Sequence, residues 1–125
     1  MTFSSTLIPI PQPIKPQSSA QALKERLDWG EPALTIIDVR SRAVYNNRHI
    51  TGALSAPIND ALTSVVASLE YSRDIYVYGE TDEQTAEAAT QLRTAGYQNV
   101  AELKGGLSGW QAVNGPVEGS MAIAA

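Results

Sequence analysis

Few of the 125 residues carry side chains able to do chemistry at neutral pH, and those few are scattered. His49 is the one histidine and lies between Arg48 and Ile50. As a general base it would need a nucleophile and an orienting acid, and Ser, Thr and Asp residues are available for both roles. The competing use is to hydrogen-bond backbone and hold a loop. Asp38 and Arg40 follow an apolar run two residues apart, where they either touch a ligand or pair with each other. Glu80, Asp82 and Glu83 form an acidic group farther along. Paired carboxylates do acid–base work when one of them is partly desolvated. A hydrophilic setting with Thr81 and Gln84 beside them favours helix capping and solvation instead. Gly105-Gly106 is too short for a phosphate fingerprint and reads as a tight turn.

The residue type that is missing decides more. The chain has no cysteine, which removes disulfides, Cys-ligated zinc, iron–sulfur clusters, thiolate nucleophiles and persulfides together. One histidine argues against a multi-histidine metal site, so neither metal nor cofactor is expected.

The elements that position these residues belong to one domain by length. A hydrophobic share of 43% and a charged share of 18% supply one modest core, and a chain of this size folds without a staple. The apolar runs are too short to span a membrane. Met1 to Thr6 carry no basic n-region, no long h-region and no Arg-rich pattern, which makes the cytoplasm the expected location. Net charge is −4, placed unevenly as +2 over residues 1–58 and −6 over residues 59–125. An acidic half of that size is a poor polyanion binder, so nucleic acid is not expected as a partner.

Residues 1–17 hold Pro9, Pro11, Pro13 and Pro16, which predicts a proline-rich tail, disordered or in polyproline II. Pro13 and Pro16 have PxxP spacing beside Lys15, which reads as a spacer rather than as an SH3-type ligand. Folding is expected over 18–114, with 115–125 a second tail. A Ser18-x-x-Gln21 box opens a helix with apolar Ala20, Leu23 and Leu27, stopped by Gly30. The nearly continuous apolar run at 34–39, rich in β-branched residues, reads as a strand buried on both faces, 74–78 as a second buried strand and 99–103 as a third. Between them the pattern predicts helices at 41–47, 60–69 (capped by Asn59), 83–95 (started by a Thr81-x-x-Gln84 box, with Ala86, Ala89 and Leu92 inward) and 107–113. Strands alternating with such helices mean an α/β fold, a central mostly parallel sheet flanked by helices on both faces. Tyr76 and Tyr78 alternate with Ile75 and Val77 and are expected to pack on one sheet face, and Trp110 to lie in the core.

Three motifs stand in fixed order: Ile37-Asp38-Val39-Arg40, then His49-Ile50-Thr51-Gly52-Ala53, then Lys104-Gly105-Gly106-Leu107-Ser108-Gly109-Trp110. In these the chain resembles a single-domain rhodanese over roughly residues 19–113. The resemblance implies a sulfur-accepting loop, C-x-x-G-x-R-[ST], whose backbone N–H groups cradle an anionic donor at a helix N-terminus. It also implies that His49, Gly52, Gly105, Gly106 and Trp110 are structural. The matching stretch here is Gly79-Glu80-Thr81-Asp82-Glu83-Gln84-Thr85. Gly79 stands at the nucleophile position, Asp82 at the usual glycine and Gln84 at the usual arginine, while Thr85 fits. Without the thiol there is no covalent intermediate, and Gln84 supplies no cation for a thiolate or thiosulfate. The expectation is a cradle occupied by the chain's own carboxylates, with Asp38, Arg40 and Tyr78 bordering a vacated pocket.

Three functions compete on this reading. The first is a non-catalytic module that binds or regulates a protein partner with a basic surface. The second is participation in sulfur transfer through a partner's cysteine, and the third is a small-molecule sensor using the space that Gly79 leaves.

Overall fold

The computed structural model describes residues 14–30, 33–59 and 61–120. Its elements run β1 (Gln17–Ser18), α1 (Ala20–Asp28), β2 (Leu34–Asp38), α2 (Arg42–Asn47), β3 (His49–Ile50), β4 (Leu54–Ser55), α3 (Leu62–Val66), β5 (Asp74–Tyr78), α4 (Asp82–Thr94), β6 (Asn99–Leu103), α5 (Gly106–Ala112) and β7 (Val117–Glu118).

The main sheet has the order β1-β6-β5-β2-β4, and every pairing in it is parallel. The three long strands sit at its centre in register, with Ile36 beside Tyr76 and Tyr76 beside Ala101. Alternation sends Ile37, Ile75, Val77 and Val100 to one face, where they meet Leu62 and Val66 of α3 and Ala88, Ala89 and Leu92 of α4. Ile36, Tyr76, Tyr78, Ala101 and Leu103 face the other way, against Leu23 of α1 and Trp110 of α5. Both faces are thus covered by helices, the condition for near-continuous apolar strands. Parallel strands also bring Tyr78, Asp38 and Leu103 to one edge of the sheet, where open α/β folds place their sites.

Several local expectations need correction. The cap of α1 is Ser19, whose hydroxyl accepts from Ala22 N, while Ser18 lies in β1. The predicted 60–69 helix shrinks to Leu62–Val66, and Ala61, without a side-chain cap bond, holds the position expected for Asn59. Inward positions of α4 are Thr85, Ala88, Ala89 and Leu92, with Ala86 only half-buried.

Both expected domain boundaries move outward. Proline lacks a donor but keeps its carbonyl. Pro16 O accepts from Glu102 N at 2.8 Å and from Arg93 Nη2 at 3.2 Å. Ser18 O accepts from Lys104 N, and Ile14 packs against the Trp110 side of the core. Residues 14–17 therefore belong to the domain. Residues 1–13, with Pro13 of the PxxP pattern, lie outside the described residues.

At the other end, Gly115 closes on Trp110 so tightly that a Cβ there would sit 2.1 Å from the indole. Pro116 O accepts from Trp110 Nε1 at 2.8 Å and from Thr51 N at 3.1 Å, and β7 pairs antiparallel with β3. Residues 115–120 are therefore part of the domain, and 121–125 lie outside the described residues. Among the described residues no helix is long and apolar enough to cross a membrane.

Candidate functional site

At the C-terminal edge of β2, Asp38 is fully buried and Arg40 is 5% exposed. Arg40 donates to Asp38 from its backbone N (2.9 Å), from Nε (3.0 Å to Oδ1) and from Nη2 (2.6 Å to Oδ2). The same Nη2 reaches Arg48 O at 2.7 Å. Burial opposes the guanidinium charge, but hydrogen bonding and attraction from Asp38 outweigh it and hold the Arg40 pKa above its ordinary value. The guanidinium lies 5.4 Å from the centre of the Tyr78 ring. The Tyr78 hydroxyl oxygen, Oη, accepts from Ile50 N at 3.1 Å, and burial together with the Asp38 charge pushes the pKa of that hydroxyl far up. Asp38, Arg40 and Tyr78 thus form one buried frame that ties β2, β5 and the 48–50 segment together.

Above this frame the chain leaves β5 at Gly79. Gly79 N donates to Thr85 Oγ1 (2.8 Å), and Thr85 Oγ1 donates to Thr81 O (3.0 Å). Thr81 caps α4, its hydroxyl accepting from Gln84 N at 3.1 Å. Gln84 turns back over the loop, and its Oε1 accepts from Glu80 N at 2.7 Å. A Cβ built on Gly79 would lie 2.6 Å from that Oε1 and 3.1 Å from Gln84 Cγ.

These contacts overturn two expectations. The oxygen seated in the cradle is the neutral amide oxygen of Gln84 and not a carboxylate. Glu80 and Glu83 point into solvent. Asp82 is used elsewhere, Oδ1 accepting from Gly105 N at 3.0 Å and Oδ2 lying 3.6 Å from Lys104 Nζ. Nor does Gly79 vacate a pocket, because Gln84 covers its side-chain position.

What is left is a shallow concavity of about 210 Å³ lined by Gly79, Glu80, Thr81, Asp82, Gly105 and Gly106. The expected border residues Asp38, Arg40 and Tyr78 lie beneath the loop and do not line it. Gly105 and Gly106 adopt left-handed φ of 82° and 54°, and a Cβ on Gly106 would stand 3.1 Å from Gly79 O. The two glycines therefore let the β6–α5 turn close on the loop. Lys104 belongs to the third motif, but its residue type and place directly before the glycine pair assign it no site role; the structure sets it beside Asp82.

His49 lies away from this loop, among backbone. Its Nδ1 is 2.6 Å from Tyr45 O, so that nitrogen carries a proton. Its ring stacks on Tyr45 at 3.7 Å, and Nε2 faces Glu118 Oε1 at 3.3 Å. Glu118 Oε1 also accepts from Gly52 N, and that bond, with His49 beside it, holds the Glu118 carboxyl below its ordinary range. Among the described residues no hydroxyl nucleophile is bonded to His49. Among the described residues no group of three or more His, Cys, Asp or Glu side chains could hold a metal ion.

Residues 19–113, which carry the buried frame, the loop and the glycine turn, match the model of the rhodanese-like domain. The chain belongs to this family. The solution structure of the rhodanese-like domain of the Alr3790 protein from Anabaena is 56% identical, with a TM-score of 0.82 and coverage of 87% of this chain and 83% of that one. The putative sulfur carrier protein YrkF of Bacillus subtilis is 26% identical over 95 residues, covering 76% of this chain and 50% of YrkF. The thiosulfate sulfurtransferase GlpE of Tolumonas auensis is 27% identical over 82 residues, covering 66% of this chain and 76% of GlpE. The homologues of this rhodanese-like domain thus include sulfur-carrier and sulfurtransferase-related proteins. The chain spans half or less of the length of several curated relatives it matches.

Proposed function

We propose that this rhodanese-like domain is a non-catalytic module that binds a protein partner across its 79–87 segment and does not itself accept sulfur. The observation that carries the reading is Gln84. Its amide oxygen takes the Glu80 N–H at 2.7 Å and lies 2.6 Å from the point where a nucleophile's Cβ would start. The loop is thereby satisfied from within, and the chain has no thiol to open it for. Glu80, Glu83 and Glu87, all exposed, give that face its acidic character and make a basic partner surface its complement.

A second reading is favoured by the names of YrkF and GlpE: participation in sulfur transfer with the sulfur held on a partner's cysteine. The small-molecule reading has less to rest on, since Gln84 covers the side-chain position of Gly79 and leaves only the shallow concavity beside it.

Intact-mass measurement after thiosulfate treatment tests the first half of the proposal. The expected result is an unchanged mass, and a stable gain of one sulfur atom would overturn it. For the second half, a partner recovered from native extract should bind more weakly as the Debye length falls from about 10 Å at 0.1 M salt to about 3 Å at 1 M. Glu80→Lys with Glu83→Lys should slow that association, and affinity indifferent to both salt and charge reversal would contradict the acidic face as the interface.

A further inference from the structure

The loop occupies the C-terminal edge of the sheet; the opposite edge carries a feature that the rhodanese-like reading does not use. A groove of about 340 Å³ opens at the start of β2 and β4, walled by Leu27, Leu34, Ile36 and Leu54 with Arg73 at its side. Leu54 is 41% exposed, one of the few large apolar side chains left in water. Its strand is the last of the sheet, and β4 pairs with β2 alone among the described residues. An open edge beside an apolar groove is what an added strand needs: backbone groups for pairing and a seat for alternate side chains.

Arg73 says what charge such a strand should bring. Its Nε donates to Thr35 Oγ1 at 2.8 Å and its Nη2 to Leu34 O at 3.0 Å, both neutral acceptors. Arg26, Arg40 and Arg93 each sit against a carboxylate, with Asp74, Asp38 and Glu102 as partners. Arg73 has no such ion pair among the described residues. The guanidinium is half-buried, held in one orientation and not neutralised, at the rim of an apolar groove. A planar fork of donors matches a carboxylate.

We propose that this groove and the β4 edge receive an extended segment of a partner protein, an apolar side chain entering among Leu27, Leu34, Ile36 and Leu54 and a carboxylate meeting Arg73. The surface is separate from the 79–87 segment and asks for the opposite charge. It stands whether or not the loop reading does.

The test uses the full chain labelled with 15N and two capped peptides, acetyl-Asp-Val-Leu-Val-Asp-amide and its counterpart with Lys in place of both Asp residues. The acidic peptide should shift the backbone amides of Thr35, Ile36, Gly52 and Leu54, and the basic one should bind at least about fivefold more weakly. Arg73→Gln should bring the acidic peptide down toward the basic one. Leu54→Lys, at an exposed side chain that leaves the Arg73 bonds in place, should abolish the shifts while the rest of the spectrum is kept. It decides the matter if the Arg73 variant fails to fold. Three results would overturn the proposal: no shifts from the acidic peptide at millimolar concentration, equal affinity for both peptides, or shifts confined to residues 79–87.

Discussion

The frame of Asp38, Arg40 and Tyr78 and the loop of Gly79 to Thr85 are neighbours at one edge of the sheet, yet they are built on opposite terms. The frame is charged and buried: Asp38 is paired by Arg40, and Arg40 and Tyr78 reach across to Arg48 O and Ile50 N. The loop between Gly79 and Thr85 is exposed or half-exposed, and apart from Asp82, which reaches Gly105 N and Lys104, its bonds run between residues no more than six positions apart. A change in the frame exposes the fold to an unpaired buried charge. In the loop, a change is met by rotating one side chain toward water. The family's architecture can therefore persist while the chemistry of its loop is exchanged.

The largest effect expected from this contrast is at Arg40. Arg40→Leu would leave the Asp38 carboxylate buried without its partner, a loss of about 3–5 kcal/mol. Denaturant midpoints check this, and a loss under about 1 kcal/mol would mean that the pair is not the keystone described. Removing both charges, by Asp38→Leu with Arg40→Leu, should cost clearly less than the single change.

Tyr78 gives the frame a dependence on pH. Its folded-state pKa is raised above that of an unfolded tyrosine, about 10. Its contribution to stability is then full below pH ~10 and is lost as the pH climbs beyond. Tyr45 and Tyr97, each raised by burial, shift the same way. Stability should fall on the alkaline side with a slope that Tyr78→Phe makes shallower; an unchanged slope would place the buried phenol elsewhere.

Thr85 is the buried anchor of the loop. Buried at 1% exposure, it accepts from Gly79 N. Thr85→Val keeps the shape, strands that N–H and should cost about 1–3 kcal/mol. In the loop itself, Thr81→Ala should cost about 1 kcal/mol through the lost cap. Gln84→Ala, at a half-exposed side chain, should stay within about 1 kcal/mol. If Gln84→Ala proved as costly as Arg40→Leu, the contrast between the regions would collapse.

Long runs and long patterns were the legible part of the sequence. The runs at 74–78 and 99–103 match β5 and β6 residue for residue, because strands covered on both faces are largely apolar, with Glu102 the buried exception that Arg93 pairs. β1, β3, β4 and β7 have two residues each, too few for any periodicity, and none was foreseen. The outward shift of both boundaries rests on carbonyls of Pro16 and Pro116, and an acceptor leaves no mark in a residue's type. At the site, the Thr81-x-x-Gln84 box was readable. That Gln84 would reach one residue past the cap, to Glu80 N, depended on the loop's path over Gly79 and had no signature of its own.

The account's central claim is that Gln84, not an empty pocket, stands where the family's sulfur-accepting side chain would be. The rate of thiosulfate-to-cyanide sulfur transfer by the Gly79→Cys protein tests this most directly. The account predicts a rate on the order of 100-fold below that reached when Gln84→Arg and Asp82→Gly are added, because the seated amide and the acidic loop oppose both thiolate and donor, and it predicts that these effects are not additive. A Gly79→Cys protein already as fast as the triple variant would contradict it.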